Sequence, residues 1–331
     1  MSVSDTNLMR TLRGKATSGV PFWEVWFAMH GLAEHLLGRP VVTLDDHIEL
    51  ARRLGWEYLT CYLPVNHPGS DTAVASDGTA HYVQHGIIPL DELYARPLPD
   101  LTQAAANAQQ VVTAAHNAGM AAIAYVPWCF HAANTALGLE HLSYLVYDDI
   151  DYLHALFEWV EEGTRRLIRE IIVPLGFDVV LFDGDCSYKN GLMVRPEVFR
   201  ELVFERTLAT LQPLKEAGIA ATFHSDGRVD DLLPILIELG FDGFHGVEAQ
   251  ANDLGEVKRR FGRDVTLIGN VDVVFLTHAS VDQVRRETEK MLDIGTPGGR
   301  YIAACNTSPL DYIPFPNYLA MVDVITHYGG A

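Results

Sequence analysis

The sequence predicts a single (β/α)8 TIM barrel, because its strand count, its helix boundaries and its polar strand ends all favour that fold. Short apolar runs alternate with helical patterns, as is typical of parallel α/β proteins, whose strands are buried on both faces. There are eight such runs, the number found in a closed α/β barrel. We expect residues 1–20 to be an N-terminal extension, residues 21–331 to form the barrel, and residues 64–99 to form an irregular loop over its mouth. The predicted strands cover residues 21–27, 57–63, 121–127, 179–185, 219–226, 243–248, 265–272 and 301–306.

The segments between these runs carry the start and stop signals of helices. Thr43 with Asp46, and Ser280 with Gln283, have the spacing of an N-cap and its third helical residue. Pro196 stands where a first helical residue is favoured. Glycines follow the helical patterns ahead of the next strand, as C-terminal caps do, at positions 55, 119, 218, 240 and 262.

The composition excludes several classes of partner. The 331 residues contain 24 Lys and Arg against 43 Asp and Glu, so the formal net charge is −19. A chain this acidic is repelled by nucleic acids and by anionic lipid surfaces. It has no apolar stretch of the roughly 20 residues that a membrane span needs and no signal-peptide core, so we predict a cytoplasmic protein. Its four cysteines are widely spaced, which argues against a disulfide scaffold or a zinc ribbon.

Polar residues stand at the ends of five consecutive predicted strands. Catalytic groups of α/β barrels come from the C-terminal ends of the strands, so these residues are candidates for a shared site. Taken singly, each also has an ordinary explanation as a turn residue, a buried histidine or a small core cysteine. Together they offer the imidazole, thiolate and carboxylate ligands that zinc or a similar divalent ion uses. The residues are Asp183 and Asp185, His224 and Asp226, His245 and Glu248, Asn270 and Asp272, and Cys305 and Asn306.

Residues 223–272, FHSDGRVDDLLPILIELGFDGFHGVEAQANDLGEVKRRFGRDVTLIGNVD, resemble the C-terminal half of the uroporphyrinogen decarboxylase superfamily. Residues 183–203 and 298–328 share the resemblance, which implies a (β/α)8 barrel. The superfamily contains porphyrinogen decarboxylases and also zinc methyltransferases that work with corrinoid proteins. The decarboxylases carry an Arg-Gln-Ala-Gly-Arg segment that holds substrate carboxylates. Residues 21–40 here read PFWEVWFAMHGLAEHLLGRP and lack those arginines, which argues against porphyrinogen decarboxylation.

The resemblance to the methyltransferase branch implies a zinc site. That branch binds zinc through a His-x-Cys pair after the fifth strand and a Cys near the last strand. His224, Asp226 and Cys305 occupy those places, with Asp226 where the first Cys stands. Asp is a competent zinc ligand, but exchanging a thiolate for a harder oxygen changes the preference among metals. The candidates to complete the shell, orient His224 or act as catalytic groups are Asp183, Asp185 and Glu248.

We therefore predict a metal-dependent methyltransferase that moves a methyl group between a small methylated or methoxylated substrate and a corrinoid. The chain has no Asp-x-His-x-x-Gly stretch, so the corrinoid is expected on a partner protein or as free cobalamin. Two alternatives stay open: a metal-independent decarboxylase or lyase that uses Asp183 or Asp185 as its acid-base group, and a non-catalytic barrel that binds a corrinoid or tetrapyrrole. A homodimer also stays open. The predicted substrate contacts, for which ordinary barrel packing is the competing explanation, are Trp23, Glu24, Trp26, Tyr188 and Asn270.

Overall fold

The computed structural model describes residues 3–65, 67, 71–74, 80–83, 86–97 and 99–329, and these have a TIM-barrel-like fold. In chain order the strands are β1 (Tyr58–Tyr62), β2 (Asp71–Val74), β3 (Ala80–Val83), β4 (Ala121–Pro127), β5 (Val179–Asp183), β6 (Ser187–Tyr188), β7 (Gly191–Leu192), β8 (Ala220–His224), β9 (Gly243–His245), β10 (Thr266–Ile268) and β11 (Tyr301–Ile302). Seven of them form one curled parallel sheet in the order β1-β4-β5-β8-β9-β10-β11. The predicted barrel class is confirmed, and each of these seven strands lies within a predicted one.

Helices follow the strands along the chain and cover the outside of the sheet. Both predicted capping boxes, at Thr43 and at Ser280, are present. In the part of the chain that the structure describes, no helix is long and apolar enough to cross a bilayer. The helices are α1 (Asn7–Leu12), α2 (His30–Leu37), α3 (Leu44–Leu54), α4 (Leu90–Ala95), α5 (Thr102–Asn117), α6 (Cys129–Leu137), α7 (Leu139–Asp148), α8 (Ile150–Leu167), α9 (Val173–Leu175), α10 (Pro196–Ala217), α11 (Leu232–Leu239), α12 (Leu254–Phe261), α13 (Val273–His278), α14 (Val281–Gly295) and α15 (Phe315–His327), with a π-helical turn at Ile168–Ile172 between α8 and α9.

The core of the barrel wall is apolar on both faces. Strands β5 and β8 are buried along their whole length, so their apolar runs reflect contact with the interior on one side and helices on the other. Phe182, Phe223 and Phe244 come from three adjacent strands and are fully buried. Their burial fixes the direction of these strands and with it the position of the residues at their C-terminal ends.

The prediction that residues 21–27 form a strand is wrong. The segment forms an isolated parallel bridge with Ala303, the residue directly after β11, and the Trp23 backbone N–H donates to the Ala303 carbonyl at 3.0 Å. On its other flank the Glu24 N–H donates to the Tyr58 hydroxyl at 2.9 Å instead of to a backbone carbonyl of β1. Backbone donors need a partner when buried, and here a side chain supplies it. The barrel wall therefore has a seam between this segment and β1.

Two other segments, residues 1–20 and residues 64–99, contain regular secondary structure. The side chains of Leu8, Met9 and Leu12 on α1 are buried, and the Thr266 hydroxyl donates to the Thr11 carbonyl at 3.2 Å. Residues 1–20 therefore carry a helix packed at the N-terminal end of β10, and the domain boundary at residue 20 stays a prediction. The expectation of a wholly irregular segment at 64–99 is wrong, since it contains the antiparallel pair β2 and β3 and the helix α4.

Candidate metal centre

Three adjacent strands end in polar residues at the same level of the barrel. Asp183, His224 and His245 are the last residues of β5, β8 and β9. In the parallel register, Asp183 is the partner of His224 and His224 is the partner of His245. Paired residues of neighbouring parallel strands point to the same face, so these three side chains lie side by side at the C-terminal end of the sheet.

Two more carboxylates come from the loops that leave β5 and β8. The Asp226 backbone N–H donates to Asp185 Oδ1 at 3.2 Å. The fully buried Ser225 hydroxyl accepts hydrogen bonds from the backbone N–H groups of Cys186 and Ser187, at 3.2 and 3.3 Å. Ser225 thus ties the loop after β5 to the loop after β8, and this connection fixes the distance between Asp185 and Asp226.

Asp185, His224 and Asp226 form a group with the spacing of metal ligands. His224 Nε2 lies 3.5 Å from Asp185 Oδ1 and 4.0 Å from Asp226 Oδ1. A tetrahedral zinc site with bonds of about 2.1 Å holds its ligand atoms about 3.4 Å apart. The Asp226 Oδ1 atom is also buried without a hydrogen-bond partner among the described residues. The three ligand atoms lie within 4.8 Å of one another, so the set fits a divalent cation with nitrogen and oxygen ligands once these separations shorten.

His245 orients His224. The two Nδ1 atoms are 2.8 Å apart, so one of them carries the shared proton. Burial and the neighbouring His224 hold the pKa of His245 well below its ordinary value, which makes His245 the neutral acceptor. In its neutral form His224 then donates from Nδ1 and has its Nε2 lone pair on the side of the carboxylates, as a metal-binding histidine requires.

The negative charges of the neighbouring carboxylates favour a positive charge in the centre. Burial lowers the pKa of His224, but Asp185, Asp226 and Asp183 outweigh it, so the net pKa is raised. Burial also raises the pKa of Asp226 to about 6, with repulsion from Asp185, Glu248 and Asp183 adding to the rise and His224 opposing it. A cleft of about 310 Å³ opens above these groups, and none of the described residues that line it is a lysine or arginine. Its lining residues are Val25, Trp26, Tyr125, Pro127, His131, Asp183, Asp185, His224, Asp226, His245, Thr307 and Ser308.

The structure does not bring Cys305 together with His224 and Asp226, the other two predicted metal ligands. Its thiol is fully buried, and Sγ lies 3.9 Å from Met321 Sδ on α15. Among the described residues, Cys305 belongs to neither group of potential metal ligands, and the third member beside His224 and Asp226 is Asp185. Burial and the nearby Glu24 raise the pKa of the Cys305 thiol well above its ordinary value, which disfavours the thiolate that would bind a metal.

The other predicted catalytic residues have different positions. Asp183 accepts a short hydrogen bond from the Tyr125 hydroxyl and lies inside the cleft. Glu248 lies beside the cleft, and its Oε2 accepts from the Gly227 N–H at 3.0 Å. Glu248 therefore holds the loop that carries Asp226, and it does not belong to either ligand group.

Of the five predicted substrate contacts, the cleft includes Trp26. It is 45% exposed, and its ring packs near Tyr62 and Tyr125 with centroid distances of 5.1 and 6.0 Å. The remaining four do not line the cleft. Trp23 is fully buried in the core, Glu24 is buried beside a neighbouring cavity of about 360 Å³, Asn270 is buried and donates to the Val247 carbonyl, and Tyr188 is exposed on β6.

The sequence analysis gave no role to His131, which completes the cleft. His131 lies in the first turn of α6, just after β4, and its Nε2 is 3.8 Å from Asp183 Oδ2. The available signal was a histidine four residues beyond the end of a predicted barrel strand. Tyr125 was also missed, because it lies inside the apolar run of β4.

Comparisons with known proteins agree with this architecture. Residues 84–328 match the family described as "Uroporphyrinogen decarboxylase (URO-D)". A uroporphyrinogen decarboxylase from Thioalkalivibrio sulfidiphilus (strain HL-EbGR7) is 28% identical over 162 residues, which make up 48% of this chain and 44% of that protein. The match thus spans less than half the length of that relative. A solved methyltransferase from Methanosarcina mazei superposes with a TM-score of 0.72 at 17% identity, covering 99% of each chain, and this likeness supports the fold. Since the family match covers well over half of the sequence, the chain belongs to the uroporphyrinogen decarboxylase family.

Proposed function

We propose that this protein is a divalent-metal-dependent methyltransferase that transfers a methyl group between a small methylated or methoxylated substrate and a corrinoid. The observation that carries the proposal is the group formed by Asp185, His224 and Asp226 at the floor of the cleft. The ion proposed is zinc, although a ligand set of one imidazole and two carboxylates also suits other first-row divalent ions. A solved methyltransferase with the same fold along its whole length supports the proposal.

The chemistry needs a stabilised leaving group. A methyl group on oxygen, nitrogen or sulfur transfers slowly because the heteroatom leaves as a strong base, and a bound cation supplies the Lewis acid that stabilises the developing charge. Other residues of the chain orient the proposed metal ligands. His245 holds His224 with Nε2 directed at the carboxylates, and Ser225 fixes the loops that carry Asp185 and Asp226.

The walls of the cleft suit a small, flat substrate. The ring of Trp26 stands over one side next to Tyr125, and Thr307 and Ser308 supply hydroxyl groups at the rim. Aromatic side chains bind flat rings through their faces and edges. We propose that the methyl donor is a methoxylated aromatic compound or a similar small molecule held against Trp26.

The corrinoid is proposed to come from a partner protein or from free cobalamin. Large aromatic side chains are exposed at the C-terminal end of the barrel, where such a partner would need to approach. Aromatic side chains that are exposed to solvent are typical of protein–protein interfaces. The exposed rings are Trp26, Tyr62, Tyr188 and Tyr312, each between 45% and 53% exposed.

The decarboxylase alternative meets an electrostatic objection. A porphyrinogen carries several carboxylates, and its recognition requires cationic side chains. The cleft contains Asp183, Asp185 and Asp226, and none of its lining residues is a lysine or arginine. The charge of the cleft therefore argues against a substrate with several carboxylates.

The proposal is tested by following methylcobalamin formation. Purified protein is incubated with reduced cobalamin and a panel of methoxylated aromatics, methylamines and thioethers, before and after treatment with a chelator. We expect methyl transfer that is lost with the metal and restored by Zn²⁺, and that is lost in Asp226→Asn. The matched control is Asp264→Asn, an exposed aspartate at the opposite end of the barrel, which should leave transfer unchanged.

The alternatives give different results in the same experiment. Full activity in metal-free protein would contradict the proposal. Carbon dioxide release from a carboxylated substrate, insensitive to the chelator, would identify a decarboxylase or lyase. Tight binding of cobalamin without turnover of any donor would identify a carrier.

A further inference from the structure

A second group of potential metal ligands lies next to the first. It consists of His131, Asp183 and Asp185, so Asp185 belongs to both groups. Asp185 Oδ1 lies 3.5 Å from His224 Nε2, while Asp185 Oδ2 lies 3.9 Å from His131 Nδ1. The two oxygens of one carboxylate thus face two different histidines from two different elements of the barrel.

The atoms of the second group converge without bonding to one another. His131 Nε2 is 3.8 Å from Asp183 Oδ2, and His131 Nδ1 is 3.9 Å from Asp185 Oδ2, both beyond hydrogen-bond range. Nδ1 of His131 is buried and has no hydrogen-bond partner among the described residues. Buried polar atoms in a folded protein normally have a partner, and a bound cation would supply one for this nitrogen. These two distances involve different ring nitrogens, and with one ligand atom from each residue the three atoms lie within 4.8 Å of one another, against a spacing of roughly 3.4 Å around one zinc ion.

Charge supports the same conclusion. Asp183, Asp185 and Asp226 stand together in the cleft, and Glu248 lies close enough to raise the pKa of Asp226. These four carboxylates carry four negative charges when ionised, and the lining residues that the structure describes include no lysine or arginine. The Asp185 and Asp226 side chains are partly exposed, but carboxylates this close to one another still repel, and a bound cation would relieve the repulsion. One divalent ion would neutralise half of this charge, and two would neutralise all of it.

We infer that the cleft binds two divalent cations, one held by His131, Asp183 and Asp185 and the other by Asp185, His224 and Asp226, with Asp185 bridging them. The second of these positions is the ion of the proposed function, and the inference rests on that proposal. The new position is the one at His131, whose ligands come from β5, the loop after it and the first turn of α6. Tyr125 donates to Asp183 and so orients one of its ligands.

The test measures metal stoichiometry and the coupling between the ions. Metal-free protein is titrated with Zn²⁺ and with Mn²⁺, bound metal is counted by elemental analysis, and the Mn²⁺ form is examined by electron paramagnetic resonance. We expect about two ions per chain and a spin-coupled Mn²⁺ signal, because a shared carboxylate links the ions. His131→Ala and Asp226→Asn should each retain about one ion and lose the coupling, and Asp185→Asn should weaken both positions.

His116→Ala is the matched control. His116 pairs with Asp178, at 2.9 Å, at the opposite end of the barrel, and its removal should leave both ions in place. Near-ultraviolet circular dichroism verifies that each variant is folded, and His131→Gln, which retains a polar side chain, provides a second variant of the new position.

The outcomes separate this inference from the proposed function. One ion in the wild-type protein, unaffected by His131→Ala or His131→Gln, would overturn the second position and leave the methyltransferase proposal intact. Two ions without coupling, both retained in Asp185→Asn, would overturn the bridge. No bound ion in the wild-type protein would overturn both proposals.

Discussion

Glu24 should make the protein less stable as the pH rises through neutrality. Its side chain is 2% exposed; Oε2 accepts from the Cys305 N–H at 3.2 Å and Oε1 from the Tyr318 hydroxyl at 3.1 Å. Burial raises the pKa of Glu24 from 4.5 to about 7, against the lowering effect of its hydrogen bonds to Cys305 and Tyr318. The groups that face it, Cys305, Tyr318 and Tyr58, all have pKa values raised well above their ordinary ones, so they stay neutral in this range.

The sign follows from which state holds the proton. Between pH 4.5 and 7 the unfolded chain loses the Glu24 proton while the folded chain keeps it, so stability falls as the pH rises. The full difference between the two pKa values corresponds to about 3 kcal/mol, of which about 2.5 kcal/mol is lost between pH 5 and pH 8. For 331 residues, with an unfolding entropy of about 2.1 cal/mol/K per residue, this amounts to about 3 to 4 °C in the melting temperature.

The test compares the melting temperatures of wild type and Glu24→Gln at pH 5 and pH 8 by calorimetry. Glutamine keeps a carbonyl to accept from the Cys305 N–H but cannot ionise. The variant should therefore gain about 3 to 4 °C over wild type on going from pH 5 to pH 8, whatever its offset at pH 5. Glu140→Gln, at an exposed position, controls for the loss of one negative charge. A Glu24→Gln variant whose difference from wild type is the same at both pH values would refute the reasoning.

Three further changes probe the site and its support. Cys305→Ala should retain the wild-type metal content in elemental analysis while lowering the melting temperature, because its thiol packs in the core; loss of metal would restore the sequence-based ligand set. Gly227→Ala should destabilise the fold by about 1–3 kcal/mol in urea unfolding, because Gly227 has a φ of +87° and an added Cβ would lie 2.5 Å from the Tyr188 backbone. Gly218→Ala, with a φ of +71° and open space, should cost less, and equal costs would contradict the steric explanation. Trp26→Ala should weaken substrate binding, seen as a raised KM, with the melting temperature unchanged, whereas an unchanged KM would remove Trp26 from the substrate site.

Seven of the eight barrel strands could be predicted because strands buried on both faces are continuous apolar runs. β4 was predicted to the residue, whereas β9 and β10 end earlier than predicted, where the chain turns into the site. The segment at 21–27 has the same apolar character for a different reason. Its residues Phe22, Trp23 and Val25 pack in the core while the backbone pairs only at an isolated bridge, and composition does not distinguish these two cases.

The end of the barrel that carries the candidate site could be predicted from the sequence, but the full set of residues that form it could not. Strand ends place Asp183, His224 and Asp226 at one mouth, as the structure has them. Cys305 lies three residues past the last residue of β11, at an isolated parallel bridge to Val271, and its thiol lies against Met321 on α15. His131 was overlooked because it belongs to a helix. The N-cap of α6, Trp128, donates from its N–H to the Asp183 carbonyl at 2.7 Å, which places the first turn of the helix beside the aspartates.

Ser225 helps to set the distance between the loops that carry Asp185 and Asp226 without binding the proposed cation itself. The two acidic loops are joined by one hydroxyl and two backbone N–H groups that are not ligands in our proposal, and also by the Asp226 N–H, which donates to Asp185. An exchange of the side chain at position 226 between oxygen and sulfur would then alter the preferred ion without rebuilding the scaffold. Variation at that single position offers this barrel a way to change its chemistry while its frame stays constant.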